Sequence, residues 1–301
     1  MTDGPVLVVG GTGALGGQVV DALLARGKQV RALVRPASDA SRLETAGVTI
    51  ARGDMLSPKS LLEAFDGVDA VVTTAAGYTR HSKGDSSDTD VIGNRNLADA
   101  AARTGVRRFV LTSILTCDRT PDVPHFWHKK LAEDRLEELG VPFVALRPGA
   151  FVDQVTQIGG DAFAKHRINW FGSDRTALTF VLTADLAQYL AAAVDADATA
   201  GERIDIGWDR PVGMGEIADI AGRLLGERIK VRSVPAGLLR AIGRLIGPVA
   251  PFAKDMAAMV DWFGTGKYVA DTTRQRALFG AVPTAEDAVT RLLTGLGHTI
   301  R

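Results

Sequence analysis

The sequence predicts an α/β protein built on a doubly wound parallel sheet. Three observations support this: β-rich runs alternate with helical patterns over the first two thirds of the chain, the first run leads directly into a glycine-rich turn, and apolar residues make up 46% of the 301 residues. Parallel strands need crossover connections, which are usually helices, so the alternation indicates a parallel sheet. Right-handed crossovers then place helices on both faces.

The individual strands are placed by short β-branched or apolar runs. They are Val6–Val9, Val30–Val34, Val48–Ala51, Ala70–Thr74, Phe109–Thr112 and Val144–Leu146, with a late return at Ile204–Ile206. A helical pattern covers Leu15 to Ala25 and ends at Gly27. We therefore expect residues 1–205 to form the sheet domain, with some loops on the substrate side, and the mostly helical residues 206–301 to form a substrate-binding lid.

Charge and cysteine content exclude several classes of protein. Lys plus Arg and Asp plus Glu both number 35, so no net charge favours nucleic acid or acidic lipid. The single cysteine, Cys117, excludes an internal disulfide framework and a cysteine-built metal site, and we expect no metal. The N-terminus lacks the features of a signal peptide, and the longest apolar region is interrupted by charges and prolines. We expect a cytoplasmic protein that does not enter a membrane.

The glycine-rich turn is the strongest functional signal. It follows the first strand, opens a helix and reads Val8-Val9-Gly10-Gly11-Thr12-Gly13-Ala14-Leu15-Gly16-Gly17. Gly10 suits a tight turn, Gly13 allows a pyrophosphate to approach the backbone, and Gly16 allows close packing of helix on strand. The helix N-terminus would offer unpaired N–H groups to the phosphates. The alternative is a turn that binds no ligand. The expected cofactor contacts here are Gly10, Thr12, Gly13, Ala14, Leu15 and Gly16.

The end of the second strand favours NADPH over NADH. An NAD site usually has an acid there for the ribose 2′-hydroxyl, whereas this strand ends in Arg35, which suits a 2′-phosphate. A solvated surface arginine is the alternative. Asp54 follows the third strand and could bind the adenine amine or form a turn or helix cap. Met55, Ala75 and Pro148 complete the expected cofactor contacts.

Several further motifs carry a resemblance to a known family. The chain resembles the atypical and extended short-chain dehydrogenases, especially the branch that contains the NmrA-like proteins and the isoflavone reductases. The matching segments are the glycine pattern, Gly53-Asp54, Val91–Ala101, Arg108–Ser113, Lys129-x-x-x-Glu133-x-x-Leu136, Leu146–Gly149, Glu216–Ala218 and Leu278–Thr284. They extend over nearly the whole chain, and together they are specific.

The resemblance implies hydride transfer between a nicotinamide and a carbonyl. In the family a Ser or Thr after the fifth strand polarises the carbonyl, a Tyr supplies the proton, and a Lys four residues later lowers the Tyr pKa and holds the nicotinamide ribose. Ser113 matches the first of these positions. Two adjacent lysines compete for the last, and helical geometry favours Lys129, because it shares a face with Ala132. Lys130 shares a face with Glu133 and Asp134, as a solvated partner of acids.

The tyrosine position departs from the family pattern. His125 stands four residues before Lys129, and no tyrosine lies between Tyr78 and Tyr189. His125 could be the general acid, since its unperturbed pKa near 6.5 suits proton transfer at neutral pH, or it could only pack at the helix start. Tyr78 could donate the proton, but a role in the substrate wall is the simpler interpretation.

A third account needs no acid from the protein. A ketone beside an internally bonded phenol carries its own proton source, and the sequence looks similar to atypical ketoreductases that tailor aromatic polyketides in antibiotic biosynthesis. Tyr78, Thr116 and Phe151 are the expected substrate contacts, and Ser113, His125 and Lys129 the expected catalytic residues.

Two functional classes follow. The first is an NADPH-dependent ketoreductase that acts on a bulky, aromatic ketone as a monomer or homodimer. The second is a non-catalytic, dinucleotide-sensing regulator of the NmrA-like type. A sugar-nucleotide epimerase is a third possibility that the missing tyrosine disfavours. Lys129, Ser113 and the Arg147-Pro148-Gly149 segment favour the enzyme.

Overall fold

A computed structural model of the chain describes residues 4–77, 87–246 and 251–301. The chain forms two compact units that alternate along the sequence. The first comprises Met1–Asp118, Pro124–Arg147 and Ala184–Ile204, and the second comprises Arg119–Val123, Pro148–Thr183 and Asp205–Arg301.

The main sheet has seven strands in the order β10-β6-β5-β4-β1-β2-β3. The strands are β1 (Val6–Val9), β2 (Val30–Val34), β3 (Thr49–Arg52), β4 (Ala70–Thr73), β5 (Arg108–Thr112), β6 (Phe143–Pro148) and β10 (Glu202–Ile206). The five neighbouring pairs from β3 to β6 are parallel. The order reverses direction between β1 and β4, as in a doubly wound sheet. The predicted fold class is therefore confirmed.

Helices connect the strands of the first unit. They are α1 (Ala14–Ala25), α2 (Ser41–Thr45), α3 (Pro58–Phe65), α4 (Asn94–Thr104), α5 (Pro124–Glu138) and α7 (Thr183–Ala192). A π-helical turn at Asp88–Gly93 leads into α4, and a short 3₁₀ turn at Cys117–Arg119 precedes α5. Within the parts of the chain that the structure describes, no helix is long and apolar enough to cross a membrane.

Hydrophobic side chains hold these layers together. All four residues of β1 and of β4 are buried, which is typical of parallel strands covered on both faces. One apolar cluster joins the strands to the helices and includes Phe65, Leu97, Phe109, Leu111 and Phe143. Burial of one such side chain stabilises the fold by about 1.5–3 kcal/mol. This packing fixes the carboxyl ends of β1, β2 and β4, where the predicted site lies.

The second unit contains two small parallel sheets and further helices. β7 (Ala150–Phe151) pairs with β9 (Phe180–Val181), and β8 (Arg167–Phe171) pairs with β11 (Lys230–Val234). Its helices are α6 (Val152–Val155), α8 (Met214–Leu225), α9 (Ala236–Ile246), α10 (Pro251–Gly264), α11 (Thr273–Phe279) and α12 (Ala285–Gly295). Residues 148–183 join the C-terminal segment through these pairings. The Gln275 amide also exchanges hydrogen bonds of 2.9 and 3.1 Å with the backbone of Gly207.

Candidate active site

The glycine turn between β1 and α1 is closed and tight. Gly10 has φ +91°, a conformation that favours glycine, and its carbonyl accepts the Gly13 N–H at 2.9 Å. A Cβ on Gly16 would lie 2.1 Å from the Gly10 carbonyl oxygen, so helix and turn are in direct contact. A Cβ on Gly13 would meet only that oxygen, at 3.3 Å. Gly16 therefore serves the packing, whereas Gly13 has open space on its outer side.

The N-terminus of α1 suits an anion. Gly13 is the N-cap residue and has no side chain to cap the helix, and the first turn contains no acidic residue. The first N–H groups of a helix have no partner within it, and the helix dipole favours negative charge there. Thr12, Gly13 and Ala14 are exposed and Leu15 is half-buried. A pyrophosphate fits this turn, because Gly13 leaves the backbone accessible.

A second arginine stands beside Arg35. Arg35 is exposed directly after β2, and Arg52 ends the neighbouring strand β3, opposite Val34. The Arg52 guanidinium donates to the carbonyl of Ser38 at 2.8 Å and to that of Arg35 at 3.4 Å. It therefore holds the turn that carries Arg35 and adds a positive charge there. Sequence reasoning missed Arg52, because its position depends on the register of β2 against β3.

The next predicted residues form a turn after β3. The Asp54 carboxylate accepts the Leu56 N–H at 2.9 Å, and the Asp54 N–H is donated to the Ser60 hydroxyl at 3.0 Å. The structure thus shows the turn-forming alternative for Asp54. Met55 is half-buried, and its carbonyl accepts from the Asn96 amide at 3.0 Å. Contact of either residue with adenine stays a prediction.

Lys129 projects from α5 toward the end of β4. Its ammonium donates to the Ala75 carbonyl at 3.0 Å and pairs with the Asp90 carboxylate at 3.2 Å. The side chains of Lys129 and Asp90 are only 6% and 1% exposed. Lys130 is more exposed and pairs with Asp134 one turn further along the helix. The buried lysine is the one at the family position.

Ser113 and Glu133 belong to a buried ionic network. The Ser113 hydroxyl donates to Glu133 at 2.6 Å, and the same carboxylate accepts from Arg147 at 2.6 and 2.9 Å and from Arg203 at 3.0 Å. Glu133 is fully buried and bound by arginines, so the acid that pairs with Lys130 is Asp134 and not Glu133. The Ser113 hydroxyl therefore donates to Glu133 in this arrangement.

This network also shifts ionisation equilibria. Burial raises the pKa of Cys117 to about 12, and the Glu133 charge adds to that effect. Burial would lower the pKa of Arg147, but its hydrogen bonds to Glu133 and that group's charge raise it well above its usual value. Both groups therefore keep their protons at any physiological pH. The network therefore links α5, β6 and the 3₁₀ turn.

The other predicted residues of the first unit lie around the start of α5. His125 is buried at the second position of the helix, and its ring packs edge-on against Phe126 with centroids 4.7 Å apart. Thr116 is buried with φ +62°, an uncommon conformation for a β-branched residue and one that is often found at functional sites. Tyr78 lies outside the described residues.

Two predicted residues belong to the second unit. Pro148 ends β6, and its carbonyl accepts the buried Tyr268 hydroxyl at 3.3 Å. Phe151 is half-buried in β7. Their contacts with cofactor and substrate stay predictions. In the first unit, by contrast, the glycine turn follows β1, Arg35 follows β2, and Lys129 is anchored to Ala75 after β4, at the carboxyl ends of neighbouring strands.

Solved structures of reductases share this fold. Triphenylmethane reductase from Citrobacter sp., complexed with NADP(H), superposes with a TM-score of 0.78 at 22% identity, over 96% of this chain and 100% of that one. Leucoanthocyanidin reductase from Vitis vinifera, in a binary complex with NADPH, gives a TM-score of 0.77 at 19% identity, over 97% and 100% of the two chains. Identities this low establish the fold alone.

Curated relatives and a family profile place the chain more closely. The photosystem II assembly factor Ycf39 of Synechocystis sp. is 29% identical over 78% of this chain and 72% of its own length. The 2-alkyl-3-oxoalkanoate reductase of Stenotrophomonas maltophilia is 30% identical over 71% and 73% of the two chains. The profile of the NmrA-like family matches residues 2–285. The chain belongs to the NmrA-like family.

Proposed function

We propose that this protein is an NADPH-dependent reductase that transfers hydride to the carbonyl of a bulky, aromatic or polyketide-like ketone. The observation that carries the proposal is the open backbone at Gly13 in front of an uncapped helix, with Arg35 at the end of the next strand. That arrangement matches the pyrophosphate and the 2′-phosphate of NADPH in charge and in place.

The family context supports both halves of this proposal. Two reductases of the same fold were solved with NADP(H) or NADPH, and one of them acts on triphenylmethane dyes, which are bulky and aromatic. A relative at 30% identity is named a 2-alkyl-3-oxoalkanoate reductase, which points to a ketone as the acceptor. The substrate of the present chain is inferred from these resemblances and from its own site.

Residues of the first unit have separate roles in this proposal. Bound NADPH supplies the hydride from its nicotinamide. Gly13 and the α1 N-terminus would bind the pyrophosphate, and Arg35, whose turn is held by Arg52, would bind the 2′-phosphate. Lys129 would donate a hydrogen bond to the nicotinamide ribose from its buried position. Ser113 has no role in this proposal, because its hydroxyl donates a hydrogen bond to the Glu133 carboxylate.

The proton has two candidate sources. His125 occupies the family's tyrosine position, and an imidazole can act as a general acid. A ketone with an adjacent phenol could instead supply the proton itself and stabilise the developing alkoxide. General acid catalysis typically contributes about a hundred- to ten-thousand-fold, so the loss of a true protein acid should be conspicuous.

The test measures hydride transfer directly. NADPH carrying deuterium at C4 is mixed with 2-alkyl-3-oxoalkanoates and with aromatic ketones whose neighbouring phenol is free or methylated. We expect stereospecific deuterium in the product alcohol, a small effect of His125→Ala, and loss of turnover when the phenol is methylated. If His125→Ala stops reduction and the methylated ketone still reacts, the donor is the histidine.

A non-catalytic dinucleotide-binding protein is the second candidate. It is favoured by His125 in place of tyrosine and by several relatives named as photosystem II assembly factors. Such a protein would bind NADPH and NADP⁺ without turnover and would act through a protein partner. NADPH binding with no deuterium in any product of the panel would favour this candidate over the reductase.

A further inference from the structure

Asp90 is a buried carboxylate with an unusual backbone setting. It lies in the π-helical turn Asp88–Gly93, and its side chain is 1% exposed. Single π-helical turns are rare and occur frequently at functional sites. Its own carbonyl accepts the Asn94 amide at 3.0 Å, which fixes the turn from the inside. A charge buried this deeply is retained only where it is paired.

The two carboxylate oxygens of Asp90 have different partners. Oδ1 lies 3.2 Å from the Lys129 ammonium, and Oδ2 accepts the Gly77 N–H at 3.0 Å. Lys129 also donates to the Ala75 carbonyl at 3.0 Å. Asp90 therefore joins α5 to the backbone that follows β4. An ammonium has three N–H groups; one donates to the Ala75 carbonyl, whereas the contact with Asp90 is an ion pair, because Oδ1 has no hydrogen-bond partner among the described residues.

Among the described residues of α5, the charged groups one turn from Lys129 do not replace Asp90. On α5 itself, Glu133 is one turn away but is bound to Arg147 and Arg203. His125 is one turn away in the other direction, and an imidazole supplies no negative charge for the ammonium. Within the described residues, the Asp90 carboxylate is thus the counter-charge that pairs with this buried lysine.

We propose that Asp90 is a positioning residue, which fixes the Lys129 ammonium against the Ala75 carbonyl so that the lysine meets the nicotinamide ribose in one orientation. This inference rests on the proposed function, since Lys129 is assigned to the cofactor there. Asp90 does not touch the cofactor, and its contribution passes through Lys129.

A double-mutant cycle tests this coupling. Asp90→Asn keeps an acceptor for the Gly77 N–H and removes the charge. NADPH affinity is measured by nicotinamide fluorescence in wild type, Asp90→Asn, Lys129→Met and the double variant, with melting temperatures of all four. We expect Asp90→Asn to weaken NADPH binding about tenfold and the double variant to bind no more weakly than Lys129→Met alone. Loss of a negative charge alone would strengthen binding of the anionic cofactor, so weakening identifies positioning.

The chain offers a matched control on the same helix. Lys130 and Asp134 form an ion pair that is 24% and 44% exposed, and Lys130→Met and Asp134→Asn should leave NADPH affinity within about twofold of wild type. With a carbonyl substrate, Asp90→Asn should lower kcat more than it raises the KM for the ketone. A purely structural role would lower the melting temperature without this split.

One outcome overturns the proposal. If Asp90→Asn weakens NADPH binding as much in the Lys129→Met background as in wild type, Asp90 does not act through Lys129. Should Asp90→Asn not fold, Asp90→Glu keeps the charge and displaces it by one methylene, and the same cycle applies. If the wild-type protein binds NADPH but reduces no carbonyl, the proposed function fails, while the binding cycle still decides the role of Asp90.

Discussion

At the scale of single residues, the two glycines that follow Gly10 at three-residue spacing have opposite surroundings. A Cβ on Gly13 would meet only the Gly10 carbonyl oxygen, at 3.3 Å, whereas one on Gly16 would strike that oxygen at 2.1 Å. We therefore expect Gly13→Val to abolish NADPH binding with little change in melting temperature. Gly16→Ala should destabilise the fold by about 1–3 kcal/mol, as overpacking does. Thermal melts with and without NADPH separate the two effects, and an NADPH-induced shift that survives Gly13→Val would show that the phosphates bind elsewhere.

The buried thiol of Cys117 gives a prediction about pH. Its pKa is about 12 in the folded protein against an ordinary value of 9.0, so unfolding favours the thiolate between these limits. The free energy of unfolding should accordingly fall as pH rises above 9, by up to about 1.4 kcal/mol per pH unit from this group. Urea unfolding from pH 8 to 10.5 measures the slope, and Cys117→Ala should reduce it. An unchanged slope in that variant would mean that Cys117 ionises normally.

Arg52 illustrates what the sequence could not reveal at this scale. Arg35 was found because it ends a clear strand next to a recognised turn. Arg52 ends the adjacent strand, but only the pairing of Val34 with Arg52 brings the two arginines together. The burial of Glu133 could not be predicted for a related reason: helical periodicity places it on the face of Lys130, but its partners Arg147 and Arg203 come from strands that are distant in sequence.

At the scale of secondary structure, the hydrogen bonds and ion pairs of Glu133 hold α5 in place. Removal of one partner from a buried ion pair leaves the others uncompensated and typically costs about 3–5 kcal/mol. We expect Glu133→Gln to lower the free energy of unfolding by this amount. Glu138→Gln, on the same helix, removes a carboxylate that is 69% exposed and should cost at most about 1 kcal/mol. Urea unfolding of both variants tests this, and equal losses would contradict the assignment of Glu133 as the buried tie.

Elements with strong periodicity were predictable, and short ones were not. β1 and β2 coincide with their predicted bounds, because each is a continuous β-rich run between polar or glycine-rich segments. The two-residue strands β7 and β9 carry no periodic signal and form only through their mutual pairing. The π-helical turn at Asp88–Gly93 was likewise invisible, since no local pattern separates it from an ordinary helix start.

At the scale of the whole molecule, the parallel sheet explains why the position of the site could be predicted although its chemistry could not. Strands that run in one direction bring their carboxyl ends to a common edge, so the loops after β1, β2 and β4 converge. The glycine turn, Arg35 and Ala75 were placed by this rule. The proton source could not be predicted in this way, because it depends on the substrate and on the role of His125. The spacing of residues along the chain does not define that role.

The central claim is that this edge binds NADPH in preference to NADH. The most direct measurement is a titration of both cofactors, followed by nicotinamide fluorescence at fixed ionic strength, with wild type, Arg35→Ala and the exposed control Arg103→Ala. A charge-assisted hydrogen bond contributes about 1.5–3 kcal/mol, so wild type and the control should bind NADPH at least about tenfold more tightly than NADH. Arg35→Ala should bring the two affinities close together, with NADH binding unchanged. Equal affinities in wild type, or a preference that survives Arg35→Ala, would contradict the account.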